Sequence, residues 1–259
     1  MKRFTVVLTL LICVAGIIVG NLHWNNKISA KTGKVTNPKA EVEAVEKKPV
    51  EEKEPEFLEA SKHLPKELQE KIKKSTASNE PINLIIFGSV ESDDTWSEKI
   101  KNEILAHYGE NVFNISIVST GDKTTLDIIN DKTYEELNSE ADVILFEPPM
   151  LKDNGVVGID NTLENVQTII DSWKEANNEL ILMVQPPNPI YGATYYPQEV
   201  TQLKDYIESK DIVYLNHWEN WPDLNDDKMK DFLTVNGGPN ENGNKVWADY
   251  LINYFIASN

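Results

Sequence analysis

The chain has 259 residues, a net charge of −17 at pH 7 and a single cysteine, Cys13. The charge is uneven, because residues 81–259 contain 11 lysines against 31 acidic residues, whereas residues 21–80 are close to neutral. These properties exclude a disulfide-stabilised domain, a cysteine-ligated metal site and a nucleic-acid-binding surface.

The chain begins with an uncharged apolar run at residues 4–20, which follows Lys2 and Arg3. A run of 17 such residues is either a signal peptide or a short membrane-spanning anchor. Because it is long for the apolar part of a signal peptide, we predict an uncleaved anchor over residues 1–24. The basic residues then face the cytoplasm, and the rest of the chain lies outside the cell membrane. If the segment is cleaved, the protein is secreted.

Residues 25–80 have the composition of a charged linker. Residues 25–56 contain no aromatic side chain and alternate Lys, Glu, Pro and Val, which is typical of a solvated segment without a core. A short helix is predicted near residues 65–74, where Pro65 at the first turn precedes apolar residues at helical spacing. We therefore assign residues 81–259 to a separate domain.

From residue 81 onward, apolar runs alternate with amphipathic stretches. The apolar runs predict buried parallel strands, at residues 82–88, 112–118, 141–147, 179–185 and 211–216. The amphipathic stretches predict helices, at residues 95–109, 124–138, 160–177 and 197–210 and in a closing helix that ends near residue 255. This alternation predicts a three-layer α/β domain with a mainly parallel five-stranded sheet.

Polar and aromatic residues follow each predicted strand, in the segments "GSVES", "STGD", "EPPMLKDN", "QPPNPIY" and "NHWENWPD". Open α/β sheets bind their ligands at the carboxyl ends of the strands. The sequence therefore predicts a functional site at this edge.

The order of these elements, together with "PNENGNKVWADYL" at residues 239–251, resembles the SGNH, or GDSL-like, hydrolases. The resemblance covers about residues 82–257. It implies a flavodoxin-like fold and an esterase, lipase or acetyl-esterase activity that needs no cofactor or metal. Members have a Gly-Asp-Ser with the nucleophile after the first strand, and a Gly and an Asn after the second and third strands. An Asp-x-x-His precedes the last helix.

The nucleophile motif is altered in this chain. If Gly88 aligns with the family glycine, Val90 falls on the nucleophile position. Ser89 or Ser92 is then the candidate nucleophile. The alternative is that both serines cap the helix that begins near Thr95.

The oxyanion and triad motifs are retained only in part. Gly121 matches the family glycine, and the asparagine falls on Lys152 or Asn154, of which we prefer Asn154. Val235 and Gly238 stand where the resemblance would place the catalytic Asp and His.

His217 is the histidine predicted to lie at the carboxyl edge, so it is the candidate base, with Asp223 as the residue that orients it. The alternative is that His217 packs between Trp218 and Trp221 without a catalytic role.

Aromatic residues near this edge predict a flat surface for sugar rings or acyl chains. They are Tyr191, Tyr195, Trp218 and Trp221. The alternative is that they simply cover the end of the sheet.

Together these features predict an extracytoplasmic ester hydrolase that acts on an ester-bearing lipid or glycan of the cell envelope. Its other partner is the membrane, through the N-terminal segment, and no nucleic acid is expected. The alternative is a catalytically inactive SGNH fold that binds envelope glycan or a protein partner.

Overall fold

The computed structural model describes residues 59–90, 95–137 and 141–256, which contain a five-stranded sheet. Every paired strand is parallel, and the strand order is β2-β1-β3-β4-β5. The strands are β1 (Ile82–Gly88), β2 (Phe113–Ser119), β3 (Val143–Phe146), β4 (Ile181–Val184) and β5 (Val213–Tyr214). The predicted parallel α/β sheet is confirmed.

Helices connect the strands, as the amphipathic stretches predicted. The α-helices are α1 (Lys66–Ser78), α2 (Trp96–Tyr108), α3 (Thr125–Asp131), α4 (Met150–Asp153), α5 (Ile159–Ala176), α6 (Tyr196–Glu208) and α7 (Glu241–Phe255). Short 3-10 helices lie at Thr133–Leu137, His217–Asn220 and Asp227–Phe232. The stretch predicted as one helix at residues 124–138 is therefore divided, because Lys132 adopts a left-handed conformation with φ of 58° and ends α3.

The sheet separates two apolar cores. Successive side chains of a strand point to opposite faces, so Ile86 packs into one core and Ile85 into the other. The first core contains the apolar faces of α1, α2 and α7, and the second contains those of α3, α5 and α6. Both faces of the central strands are therefore covered, which explains why their sequences are continuously apolar.

Helix α1 belongs to the first core, although its sequence was assigned to the linker region above. Leu68 and Ile72 are fully buried, and the Ser75 hydroxyl donates a 3.1 Å hydrogen bond to the Val112 carbonyl. The described residues all fall within one compact unit that spans residues 53–259. The folded unit thus begins before residue 81.

The predicted anchor at residues 1–24 and the linker at residues 25–56 lie outside the described residues. Within the described ranges, no helix is both long enough and apolar enough to cross a bilayer.

Candidate functional site at the carboxyl edge of the sheet

The parallel strands all end at one edge of the sheet. The register pairs Gly88 with Ser119 and Phe87 with Phe146, and it pairs Phe146 in turn with Val184. The residues that follow these positions therefore share one edge, where the sequence predicted the functional site.

Ser89 follows β1 directly and is partly buried. Its Oγ lies 3.2 Å from Oγ1 of Thr120, a buried residue that follows β2. Val90 packs against the first core, so it holds the turn in place with an apolar side chain. Ser92 lies outside the described residues. The structure thus places one candidate nucleophile at the edge, hydrogen-bonded to a neutral hydroxyl.

The helix after this turn is capped from elsewhere in the chain. Thr95 precedes α2 without a side-chain hydrogen bond to its backbone, and the Trp96 backbone N–H donates to Asn244 Oδ1 at 2.9 Å. Ser89 is therefore not a helix cap, which was the alternative reading of this residue.

Gly121 adopts a left-handed backbone with φ of 57°, a conformation that glycine reaches without strain. Its N–H donates to Ser119 Oγ at 3.1 Å. Nothing lies within 4 Å of a Cβ built on Gly121, so the space beside it is open. An oxyanion there would have to replace Ser119 as the acceptor of this N–H.

The residues after β3 divide into an exposed and a buried group. Asn154 is exposed at the end of α4, and Lys152 Nζ lies 2.6 Å from Asp122 Oδ1 next to Gly121. Hydrogen bonding to Lys152 and the charge of Lys152 lower the pKa of Asp122. Asp153 is buried and accepts hydrogen bonds from residues of α3 and α5. Lys152, rather than Asn154, is the residue that the structure joins to the Gly121 loop.

His217 is fully buried within a stack of parallel rings. Its ring centroid lies 4.0 Å from that of Trp247, which lies 4.6 Å from that of Trp96. The Trp221 Nε1–H donates to His217 Nδ1 at 3.0 Å, and His217 Nε2 lies 2.9 Å from the Pro186 carbonyl oxygen. Since Nδ1 accepts a hydrogen bond, the proton is on Nε2, which donates to Pro186.

This environment keeps His217 neutral. Burial lowers its pKa from 6.5 to about 3, and the hydrogen bonds to the Pro186 and Pro187 carbonyls offset only part of that effect. Both ring nitrogens are occupied, so neither can take a proton from a serine without breaking a buried hydrogen bond. The geometry fits the structural alternative for His217 and does not fit a general base.

Among the residues that the structure describes, no hydrogen bond joins the Asp223 side chain to the His217 imidazole. Its side chain is exposed, and Oδ1 accepts a 2.8 Å hydrogen bond from the Asn225 N–H, which closes a local turn. The predicted role of Asp223 in orienting His217 is therefore not supported by its position.

The four aromatic residues that were predicted to form a flat surface differ in how far they are exposed. Tyr195 is 77% exposed, and Tyr191 is exposed with its hydroxyl donating to Asp227 at 2.9 Å. Trp218 is half-buried and donates to the Pro187 carbonyl at 2.7 Å. Trp221 is buried in the first core, where its indole N–H donates a hydrogen bond to His217. Tyr191, Tyr195 and the half-buried Trp218 thus remain for an accessible surface.

The loop before α7 contains neither of the expected triad side chains. Val235 is fully exposed, and Thr234 donates its N–H to the Gly238 carbonyl at 2.7 Å. The Asn188 side chain joins this loop to the segment after β4 by donating to the Gly237 carbonyl at 2.9 Å. The loop is therefore fixed at the edge of the site by one backbone hydrogen bond and one side-chain hydrogen bond.

Two buried polar residues were not predicted as site residues. Glu147 and Gln185 directly follow β3 and β4, and they are 2% and 0% exposed. Gln185 Oε1 accepts a 2.9 Å hydrogen bond from Trp247 Nε1. The signal was present, because each is the one polar residue that ends an apolar run, in "VILFE" and "ILMVQ". Within the described ranges, no cluster of side chains suited to a metal ion occurs.

No protein-family model and no curated protein sequence matches this chain. Solved structures with a similar fold do match it. A carbohydrate esterase family 3 enzyme from Talaromyces cellulolyticus has a TM-score of 0.54 at 12% identity, over 67% of this chain and 98% of its own. An acetylxylan esterase from Geobacillus stearothermophilus gives 0.53 at 12% identity, over 67% and 94%.

A GDSL-like lipase from Bacteroides thetaiotaomicron gives a TM-score of 0.50 at 9% identity, over 73% of this chain and 96% of its own. At identities this low, the structural similarity establishes the fold and leaves the activity open. The domain has the fold of the SGNH/GDSL hydrolases, as the sequence resemblance implied.

Proposed function

We propose that this protein is an SGNH-type ester hydrolase that works outside the cytoplasm. The observation that carries the proposal is the position of Ser89, whose hydroxyl follows the first strand of an SGNH-type sheet at its carboxyl edge. Ser89, or Ser92 three residues further along the chain, attacks the ester carbonyl and forms an acyl-serine. Gly121 supplies an N–H for the oxyanion, with Asn154 or Lys152 as the second donor.

The substrate that we propose is an ester-bearing lipid or glycan of the cell envelope. Tyr191, Tyr195 and the half-buried Trp218 supply flat surfaces that suit sugar rings or acyl chains. Structures with a similar fold include a carbohydrate esterase and an acetylxylan esterase, which supports testing acetylated glycans first. The apolar run at residues 4–20 supports attachment to the cell membrane, with secretion as the outcome if that run is cleaved.

The test is hydrolysis of 4-nitrophenyl acetate and of an acetylated xylo-oligosaccharide by the purified full chain in detergent. Wild type is expected to release acetate, and either Ser89→Ala or Ser92→Ala should reduce the rate at least 100-fold. Asn161→Ala, an exposed substitution on α5, is the matched control and should keep the full rate. Absence of hydrolysis by the folded wild type on both substrates would contradict the proposal.

A second function is favoured by the locked imidazole of His217 and by the lack of acid or imidazole side chains in residues 234–238. In it, the domain binds an envelope glycan or a protein partner through Tyr191, Tyr195 and Trp218 without chemistry. Calorimetry with a non-hydrolysable glycan, combined with the hydrolysis assay, distinguishes the two, because this function predicts binding that Tyr195→Ala removes together with no hydrolysis by the folded wild type.

A further inference from the structure

The end of β2 holds the turn after β1 through hydrogen bonds that involve two successive residues. The Thr120 backbone N–H donates to the Gly88 carbonyl at 2.8 Å. The Ser119 hydroxyl donates to the Val90 carbonyl at 2.6 Å. Between these two contacts, Thr120 Oγ1 lies 3.2 Å from Ser89 Oγ. Three consecutive residues of the turn are therefore tied to the end of β2, and the middle contact reaches the side chain of the candidate nucleophile.

Thr120 is a rigid support for this contact. It is 3% exposed, and its carbonyl accepts the Lys123 N–H at 3.2 Å, so its backbone is bonded on both sides. A β-branched side chain is also stiff about χ1, which fixes the position of the Thr120 hydroxyl. Ser89 is only partly buried, and a serine side chain has three staggered rotamers. The hydrogen bond with Thr120 therefore selects one rotamer of Ser89.

The selection of one rotamer matters for a nucleophile. The attacking atom must be aligned with the carbonyl carbon, and a displacement of about 1 Å can cost a factor of about 100 in rate. A hydroxyl donates one hydrogen bond and has two lone pairs that accept. Ser89 Oγ can therefore accept a hydrogen bond from Thr120 and still direct its own proton and a second lone pair towards the edge of the sheet.

We propose that Thr120 is a positioning residue of the esterase site, which holds Ser89 Oγ in the rotamer that attacks the ester carbonyl. The inference rests on the proposed esterase function. In this role the Thr120 hydroxyl donates its hydrogen bond to Ser89 Oγ, so the serine O–H points away from Thr120 and is available for deprotonation. Thr120 keeps its own proton throughout the reaction, and no covalent bond to it forms or breaks.

The test compares Thr120→Val with Thr120→Ser in the full chain in detergent, by kcat and KM for 4-nitrophenyl acetate. Thr120→Val keeps the shape of the side chain and removes the hydroxyl, so we expect kcat to fall about tenfold with KM changed less than about threefold. Thr120→Ser restores the hydroxyl and should keep at least about half of the wild-type kcat. The rate of labelling by a fluorophosphonate should fall with kcat, because the same Oγ reacts.

The matched control is Ser75→Ala, which removes a buried hydroxyl at the opposite end of the sheet. The Ser75 hydroxyl donates to the Val112 carbonyl, just before β2 begins. This variant should lower the melting temperature and leave kcat unchanged, which separates a loss of stability from a loss of positioning.

The outcomes separate the inference from the proposed function. An active wild type whose kcat survives Thr120→Val overturns the role of Thr120 and leaves the esterase function in place. The same holds if Ser89→Ala remains active, because the nucleophile is then another serine. A folded wild type without hydrolysis overturns both claims.

Equal losses of kcat in Thr120→Val and Thr120→Ser would show that the intact side chain is needed only for structure, and would overturn the inference. If Thr120→Val has no cooperative melting transition, Thr120→Ala replaces it in the comparison with Thr120→Ser. A Thr120→Ala variant that is as active as Thr120→Ser, or that also fails to melt cooperatively, overturns the inference as well.

Discussion

His217 stabilises the end of the fifth strand because its ring satisfies two buried groups and fills a gap between tryptophans. The Trp221 Nε1–H and the Pro186 carbonyl both have the His217 ring as their hydrogen-bond partner, and the centroid of that ring lies 4.0 Å from the centroid of the Trp247 ring. Burial of a neutral imidazole in this way ties stability to pH. The unfolded chain binds a proton at His217 below about pH 6.5, whereas the folded chain does so only near pH 3.

The free energy of unfolding should therefore fall as pH decreases from 6.5 towards 3, by up to about 1.4 kcal/mol per pH unit from this residue. Above pH 6.5 its contribution is constant. Urea denaturation at pH 7 and pH 5 should show that wild type loses about 2 kcal/mol more than His217→Phe. Asn161→Ala, an exposed substitution on α5, should behave as wild type. Equal losses in wild type and His217→Phe would show that His217 is not buried as a neutral ring.

Gly88 is a second residue whose identity follows from its neighbours. A side chain at Gly88 would meet Glu147 at 2.7 Å, whereas a Cβ on Gly238 has Thr234 Oγ1 at 3.8 Å as its nearest atom. We expect Gly88→Ala to reduce the free energy of unfolding by about 1–3 kcal/mol, since the buried carboxylate has little room to move. Gly238→Ala should cost less than about 0.5 kcal/mol. Chemical denaturation measures both, and similar losses would mean that Glu147 does not fill the space over Gly88.

Among the secondary-structure elements, α2 and α7 are joined because a side chain of α7 caps the N-terminus of α2. Asn244 lies in the first turn of α7, and its Oδ1 accepts the Trp96 N–H at the start of α2. Trp96 and Trp247 stack beside it with centroids 4.6 Å apart. Helices α2 and α7 of the first core are therefore fixed to each other at the site edge.

Asn244→Ala removes this cap, and we expect a loss of about 1–2 kcal/mol in the free energy of unfolding. The matched control is Asn161→Ala in α5, where the exposed side chain donates only to the Val157 carbonyl. The control should change stability by less than about 0.5 kcal/mol. If both variants unfold at the same denaturant concentration, the cap contributes nothing and α2 is held by its apolar face alone.

The elements were predictable because their signals are local. The apolar runs predicted the ends of the strands to within two residues, and the amphipathic stretches predicted most of the helices. The partners of single side chains were not predictable in the same way. The orientation of His217 depends on Trp221 and Trp247, and the role of Gly88 depends on Glu147, which comes from a neighbouring strand. Such contacts arise only when the sheet is assembled.

At the scale of the whole molecule, the acidic domain and the apolar N-terminal run predict an orientation in the membrane. Lys2 and Arg3 precede the apolar run at residues 4–20, and basic residues at one end of such a run favour the cytoplasmic side, which leaves the acidic residues 81–259 outside. Protease added to intact, wall-free cells should therefore degrade the domain. The control is a cytoplasmic protein of the same cells, which should survive. A protected domain that becomes sensitive only after lysis would show the opposite orientation.

The proposed hydrolysis requires an activated nucleophilic serine, Ser89 or Ser92, shortly after β1. The most direct measurement is labelling of the folded full chain with a fluorophosphonate, followed by mass spectrometry of its peptides. We expect one adduct, at Ser89 or at Ser92, which forms in step with loss of esterase activity and is blocked by substitution of that serine with alanine. A chain that remains unlabelled at both Ser89 and Ser92 while its melting transition is intact would contradict the account and leave the domain as a binding module.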